Sequence, residues 1–169
     1  MAALAADADA GEAPPPSAPC SAEVMVELLE KYGLPTDLAP DSLRAQPDGR
    51  TLWHIAAHSN RVDVCEYLKS KGLLDMINEP NEWGWTPLHY ATNSKQEEVA
   101  RWLMEHAADI NAIANDGYTV FSLACEAMSF SFVEELAGKV APDHLALPDT
   151  YDRPPMRRAL ERSAHLGGY

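Results

Sequence analysis

The chain has 169 residues, which is long enough for one domain with a buried core. Hydrophobic residues make up 46% of it, which is typical of globular proteins. No apolar run approaches the ~20 residues that a membrane-spanning helix needs, so we expect no membrane association. The formal net charge is −13, and such a chain repels phosphate backbones, which excludes nucleic acid as an expected partner. The charge has two open interpretations, which are solubility and the attraction of a basic protein partner.

The three cysteines, Cys20, Cys65 and Cys125, have neither metal-ligand nor redox spacing. An odd number also argues against a disulfide framework. Cys65 and Cys125 fall on apolar helix faces, where we expect them to be small core residues. The cysteine pattern therefore predicts a reducing compartment and a cytoplasmic or nuclear location.

The N-terminal part begins with an acidic segment rich in alanine and proline, residues 1–20, which we expect to be disordered. It lacks the basic and apolar regions of a secretory signal and the arginines of a transit peptide. Residues 21–33 predict a helix with an N-cap, an apolar stripe and a stop, and residues 41–45 predict a short helical turn. These helix signals are Ser21, Val24, Leu28, Leu29 and Gly33.

A repeat begins next, because the stretches that start at Asp48, Trp83 and Asp116 align with one another. Their threonines are 35 and 33 residues apart. The coinciding residues are Gly49, Gly84 and Gly117; Thr51, Thr86 and Thr119; Ala56, Ala91 and Ala124; and Leu68, Leu103 and Leu136. So many matches at one period indicate stacked structural repeats.

Each repeat predicts a turn, a first helix and a second helix. The glycines supply turn geometry, the threonines cap the first helix, and Pro87 stands where a helix tolerates proline. Apolar residues at helical spacing predict second helices at 62–71, 96–106 and 131–138. Gly72 is expected to end the first of these in the left-handed conformation.

The stretch from Thr86 to Ala91 reads TPLHYA, which matches the T-P-L-H-x-A signature of the ankyrin repeat. The stretch from Thr51 to Ala56 matches it except at proline and leucine. Residues 108–112 resemble the family's linker ending, with Ala107 in place of glycine. The chain therefore resembles the ankyrin repeat family, which implies an all-α solenoid of helix-turn-helix units joined by β-hairpin-like loops.

The third repeat departs from the family pattern, because Ser122 replaces the histidine and Phe121 replaces the leucine. The glycine usual between the two helices of a repeat is replaced by Asn60, Lys95 and Met128. At Met128 the two helices could run together.

Stacked repeats need covered ends, which sets the predicted domain order. The order is a disordered tail at 1–20, an N-terminal capping half-repeat at 21–47, repeats at 48–80 and 81–113, a degenerate repeat at 114–145, and a C-terminal cap helix and tail at 146–169. The helix at 154–166 has an apolar stripe, so it could cap the stack or bind a partner as a free helix.

No chemistry beyond binding is predicted. His54 and His58 have the spacing of two metal ligands, but no third ligand is evident, and the resemblance gives His54 a role in turn hydrogen bonding. The acidic pairs at 97–98 and 134–135 fall on solvated helix faces. Since no catalytic or phosphate-binding motif is present, we expect no metal, no cofactor and no enzyme activity.

Asn111 has two interpretations. It lies in the linker eight residues after Leu103, which resembles the ankyrin context that asparagine hydroxylases accept. Alternatively, it is a structural asparagine that hydrogen-bonds the hairpin.

The resemblance also implies a concave binding face, made of the hairpin tips and the first helices. The residues predicted to face a partner there are Arg50, His58, Trp83, Trp85, Asn93, Tyr118 and Glu126. Trp83 stands where the family usually has aspartate. The two indoles could bind a partner, or they could pack on each other or under the apolar connection 73–82. Trp53 and Trp102 are assigned to the core.

The sequence therefore predicts a non-catalytic protein-protein interaction module, an adaptor or regulatory subunit that uses the concave face to bind one protein partner or a larger complex. The alternative is an acidic chaperone or sequestering factor for a basic client such as a ribosomal protein. Salt separates the two, because binding through charge weakens steeply with ionic strength and binding through aromatic anchors weakens much less.

Overall fold

The structure, a computed structural model, describes residues 22–31, 48–148 and 154–155. The described residues contain seven α-helices: α1 (Ala22–Lys31), α2 (Leu52–His58), α3 (Val62–Ser70), α4 (Pro87–Asn93), α5 (Glu97–Glu105), α6 (Val120–Ala127) and α7 (Phe130–Ala137). Short 3-10 helices follow α3 at Leu74–Met76 and α7 at Pro142–Leu145. The predictions for 1–20 and 41–45, and all but two residues of the predicted helix at 154–166, lie outside the described residues.

Threonine caps begin the first helices, as predicted. The backbone N–H of Thr51 donates to His54 Nδ1 at 2.9 Å, and the Thr51 hydroxyl lies 2.9 Å from the same atom. Thr86 and His89 repeat this arrangement at the start of α4. At α6 the N–H of Thr119 donates to Ser122 Oγ, and the Thr119 hydroxyl accepts the N–H of Ser122, both at 3.0 Å. These bonds satisfy backbone groups that a helix end leaves without partners.

The helices stack in two layers. In the first-helix layer, α2 packs on α4 and α4 packs on α6; in the second-helix layer, α3 packs on α5. Each first helix also packs on the second helix of its own repeat. The repeated alanines and leucines are almost fully buried between the layers. This arrangement confirms the all-α solenoid, and Leu29 of α1 is buried in the same core.

The turns between paired helices use two geometries. Asn60 and Lys95 adopt left-handed conformations, with φ of 52° and 61°, at the position where glycine is usual. Met128 is extended instead, with φ −90° and ψ 171°, and Ser129 Oγ accepts the N–H of Phe132 to cap α7. The expectation that the two helices could merge at Met128 is therefore wrong.

Two predictions about burial need correction. Cys65 is fully buried, which raises the pKa of its thiol, but Cys125 is only partly buried. Glu97 and Glu135 are also more than solvated charges. Glu97 accepts the N–H of Ser129 at 3.0 Å, and Glu135 pairs with Arg101 at 3.0 Å, so each joins α5 to the third repeat.

The capping histidines also hold successive repeats together. Their Nε2 atoms lie against carbonyl oxygens of the next hairpin, at 2.9 Å for His54 with Trp85 and 3.3 Å for His89 with Tyr118. A carbonyl can only accept, so Nε2 carries the proton and Nδ1 is the acceptor at the cap. Ser122 is too short for this reach, and its hydroxyl bonds only within its own turn.

None of the described helices is long and apolar enough to cross a membrane.

Candidate functional site

The hairpin tips form a ladder along one edge of the stack. The N–H of Glu82 donates to the Asp48 carbonyl at 3.1 Å, and the N–H of Asn115 donates to the Trp83 carbonyl at 2.9 Å. Gly84 allows this approach, since its φ is +77° and a Cβ there would lie 2.7 Å from Asn115 Oδ1. The middle tip is therefore held at both sides by backbone hydrogen bonds.

The middle tip is built differently from its neighbours. In the outer two tips an aspartate accepts the N–H two residues on, from Arg50 to Asp48 at 3.1 Å and from Tyr118 to Asp116 at 3.2 Å. Trp83 occupies the aligned position and has no acceptor to offer. The amide oxygen of Asn81 replaces it and accepts the N–H groups of Trp83, at 3.1 Å, and Trp85, at 2.9 Å.

This replacement leaves the Trp83 side chain outside the turn's own hydrogen bonding. The residue is 53% exposed, whereas the described chain buries Trp53 and Trp102 in the core as predicted. A half-exposed indole at a rigid tip is unusual, because tryptophan contributes most when its large apolar area is covered. Ile113, near the next tip, is exposed to a similar extent.

Trp85 lies in a row of aromatic rings instead. Its ring centroid is 5.6 Å from that of Tyr90 and 6.0 Å from that of Tyr118. The ring of His58 continues the row, 6.4 Å from Tyr90. The Trp85 indole N–H donates to Asp116 at 3.3 Å, which fixes the ring across two repeats. We call His58, Tyr90, Trp85 and Tyr118 the aromatic row.

The aromatic row does not include three other predicted partner-facing residues, Arg50, Asn93 and Glu126. Arg50 pairs with Asp48 at 2.6 Å inside its own turn. Asn93 and Glu126 are exposed in the last turns of α4 and α6. His58 is exposed too, and Ser94 Oγ lies 2.6 Å from its Nδ1. Trp85 thus packs on other rings, although not on Trp83, and Trp83 is half-exposed; partner binding by either indole stays a prediction.

Sequence reasoning missed two members of this site, Asn81 and Tyr90. Asn81 is buried, and it also donates its amide N–H to the Tyr90 hydroxyl at 3.0 Å. The alignment held a signal for it, because the aspartates of the outer tips align with Trp83 and the middle turn must find its acceptor elsewhere. Tyr90 lies at the unspecified position of the TPLH signature, where no pattern marks it.

Among the described residues, the two histidines with lowered pKa values serve the hairpin turns. Burial lowers the pKa of His54 and of His89 to about 4, so both are neutral and serve as the hydrogen-bonding pieces described above. Both ring nitrogens of His54 are engaged, Nδ1 at its own turn and Nε2 at the Trp85 carbonyl of the next hairpin, so neither is open beside His58. Among the described residues no group of three or more histidines, cysteines and acids is placed to hold a metal.

Asn111 has a structural partner, although not in its own hairpin. Its side-chain oxygen accepts the N–H of Ala141 at 2.9 Å, while its own N–H donates to Asp109. Asn78, at the equivalent place one repeat earlier, likewise reaches forward and bonds Ala107 and Asp109. Both asparagines tie a linker to the linker of the next repeat, and hydroxylation of Asn111 stays a prediction.

Comparisons with known proteins agree with this architecture. A family model described as "Ankyrin repeats (3 copies)" matches residues 20–114, so α6 and α7 lie beyond the match and the domain limits stay a prediction. Three similar proteins are protein phosphatase 1 regulatory subunit 12A of Mus musculus, 32% identical over 57% of this chain and 9% of that protein; palmitoyltransferase akr1 of Schizosaccharomyces pombe, 37% over 37% and 10%; and the NF-kappa-B inhibitor cactus of Drosophila melanogaster, 29% over 75% and 25%.

The chain spans only about a tenth to a quarter of the lengths of these relatives. What they share with it is therefore the repeat region, and ankyrin repeats generally bind other proteins. The family match covers more than half of the chain, and the stacked helical hairpins agree with it. The chain therefore belongs to the ankyrin repeat family.

Proposed function

We propose that the chain is a non-catalytic adaptor or regulatory subunit that binds a protein partner through its hairpin face. By hairpin face we mean the tips at 81–85 and 114–118 together with the exposed sides of α2, α4 and α6, which correspond to the concave face of the family. A regulatory subunit and an inhibitor among the similar proteins are compatible with this role.

The observation that carries the proposal is the exposed indole of Trp83. The middle turn lacks the aspartate acceptor of the outer tips, and buried Asn81 supplies the acceptor in its place. The turn carries a half-exposed tryptophan on a backbone that is hydrogen-bonded to the hairpin on each side. Covering roughly 100 Å² of indole at ~25 cal/mol per Å² contributes about 2.5 kcal/mol to binding. A rigid aromatic anchor with little entropy to lose is typical of an interface hot spot.

The neighbouring side chains suit a polar partner surface around that anchor. The aromatic row supplies hydroxyl and imidazole groups on a fixed scaffold, and Glu82 and Glu126 are exposed near it. These acids favour a partner with basic groups at the rim of the contact, where charge acts on association rate and specificity. With free Cys65 in the core, we place this module in a reducing compartment, cytoplasmic or nuclear.

The alternative function, an acidic chaperone or sequestering factor for a basic client, rests on the net charge of −13. In that case binding would depend on the summed acidic field and not on one tryptophan. Both functions use the same chain and differ in which residues carry the free energy of binding.

The test is affinity capture from a lysate of the source organism, washed at low and at high salt. The Trp83→Ala/Trp85→Ala/Tyr118→Ala variant, with its fold verified by circular dichroism, is compared with wild type and with Tyr67→Ala, which removes a partly buried aromatic ring of the second-helix layer. A partner that resists salt and is lost only from the triple variant supports the adaptor. A partner that survives the triple variant but elutes with salt favours the chaperone and returns the indoles to a structural role.

Modification of Asn111 by an asparagine hydroxylase is a separate proposal, compatible with the linker position of the residue. After co-expression with such an enzyme, mass spectrometry of the peptide that contains Asn111 should show one added oxygen. An unmodified peptide would leave the side chain as the structural tie to Ala141.

A further inference from the structure

The second-helix layer carries a groove that the hairpin face does not use. It is a shallow depression of about 520 Å³ between α3 and α5, on the outer side of the stack. Its lining residues are Val62, Glu97, Glu98, Arg101, Trp102 and Glu105. Val62 and the nearly buried ring of Trp102 make the apolar part of the lining, and the charged groups make the rim.

The rim is acidic because the one cation among the lining residues is already engaged, and Lys69, 5.9 Å from the Trp102 ring centroid, pairs with Glu66 at 3.6 Å. Arg101 pairs with Glu97 at 3.3 Å and with Glu135 at 3.0 Å. Glu98 accepts only a neutral amide, from Asn60 at 3.1 Å, and is exposed. Glu105 is exposed and makes no ion pair with any residue in the described part of the chain. Two carboxylates therefore face solvent beside an apolar floor, in a chain whose net charge is −13.

An exposed phenylalanine extends this surface by one repeat. Phe130 is 82% exposed and is the first residue of α7, as Val62 is of α3 and Glu97 is of α5. Its neighbour Ser129 donates its N–H to Glu97, so Phe130 lies next to the lining of the groove. An apolar side chain this exposed beside an apolar groove marks a surface that another chain can cover.

We propose that this outer groove docks a basic amphipathic helix of a protein partner, a second contact separate from the hairpin face. The groove follows α5 from Glu97 to Glu105, about 12 Å at 1.5 Å per residue, which suits two turns of a bound helix. Apolar side chains of that helix pack on Val62, Trp102 and Phe130. Its lysines or arginines lie against Glu98 and Glu105, by complementarity of charge.

The probe is a synthetic helix of about 18 residues in which leucine and lysine follow an amphipathic pattern, together with a scrambled peptide of the same composition. Titration calorimetry at low and moderate salt measures the affinity of each peptide for the full chain. The patterned peptide should bind wild type at least tenfold more tightly than the scrambled one. No binding to wild type, or equal binding of both peptides, overturns the proposal.

Two variants locate the contact. Glu98→Gln/Glu105→Gln removes both charges and keeps an oxygen acceptor for Asn60, and it should weaken binding at least fivefold and flatten the salt dependence. Phe130→Ser should weaken binding about threefold and leave the salt dependence unchanged, because it removes no charge. All three substituted side chains are exposed, so we expect the fold to be retained.

Two controls separate this groove from the rest of the molecule. Asp75→Asn/Asp143→Asn removes the same charge from exposed sites outside the groove, and it should change the affinity less than twofold. An equal loss in this control would show that the peptide follows the overall negative field. The Trp83→Ala/Trp85→Ala/Tyr118→Ala variant, once circular dichroism shows that it is folded, should bind the peptide as wild type does, and a loss there would place the peptide on the hairpin face and overturn the proposal.

Discussion

The substitution Asn81→Ala tests how the middle hairpin is held. The Asn81 side chain makes three hydrogen bonds while buried: it accepts from the N–H groups of Trp83 and Trp85 and donates to the Tyr90 hydroxyl. At about 1 kcal/mol for each bond, alanine should lower the free energy of unfolding by about 3 kcal/mol. Urea denaturation followed by circular dichroism at pH 7 measures the change.

A matched control keeps the geometry of the side chain. Asn81→Asp retains both accepting bonds, and the Tyr90 hydroxyl can turn to donate to the new carboxylate. Its stability should stay within about 1 kcal/mol of wild type, since hydrogen bonds to a charged acceptor offset part of the cost of burying the charge. If both substitutions destabilise the protein equally, the hydrogen bonds are not the cause.

A double substitution tests the compensation between the two turn positions. Adding Trp83→Asp to Asn81→Ala puts a carboxylate where the outer tips have Asp48 and Asp116, each of which accepts the N–H two residues on. About 1 kcal/mol should be recovered relative to Asn81→Ala alone. The inference that Asn81 replaces a missing aspartate is refuted if Trp83→Asp has the same effect with and without Asn81 in place.

Burial holds the pKa of His54 and of His89 at about 4, below the ordinary 6.5, so unfolding takes up protons at mildly acidic pH. The free energy of unfolding should therefore fall as the pH drops from 6.5 toward 4, and between pH 7 and 5 the loss should be about 2 kcal/mol per histidine. Urea denaturation midpoints measured from pH 7 to pH 5 test this. A stability that does not change over this range contradicts the assignment of both histidines as neutral. Gly84→Ala should cost about 2 kcal/mol or more, because its Cβ meets the next hairpin 2.7 Å away, whereas Gly72→Ala, with similar φ and open space, should cost about 1 kcal/mol in the same denaturation assay. Lys95→Gly should raise the free energy of unfolding by about 0.5–1 kcal/mol, and with it the thermal midpoint, because glycine adopts the left-handed conformation without strain. A lower midpoint would show that the lysine side chain contributes to the turn.

The solenoid itself could be predicted because its determinants are local. Thr51, Thr86 and Thr119 each cap the helix that follows within three residues. Leucines and alanines recur at one period, and this period marks the buried helix faces in every repeat. The exception was Met128, where a missing glycine suggested a continuous helix. An extended backbone and the Ser129 cap break the chain there by another route.

The candidate site could be predicted only as a set of positions. The alignment places Trp83, Trp85 and Tyr118 at the hairpins, but whether an indole is exposed or packed depends on which side chains of the next repeat reach it. Asp116 holds the Trp85 ring from 31 residues away, and nothing comparable covers Trp83 in the described structure. The same holds for Glu97 and Glu135, which look like solvated acids in isolation and join repeats in the stack.

Helix positions, caps and the stacking period follow from interactions between residues close in sequence, and such interactions can be recognised from the sequence alone. The aromatic row, the role of Asn81 beside Trp83 and the groove beneath Glu98 arise between residues brought together by stacking and turn geometry. A repeat alignment predicts which residues of neighbouring repeats lie side by side. Whether two such residues bond, pack or stay exposed depends on side-chain length, on donor or acceptor character and on how closely the two backbones approach. These distances are set only when the repeats pack together.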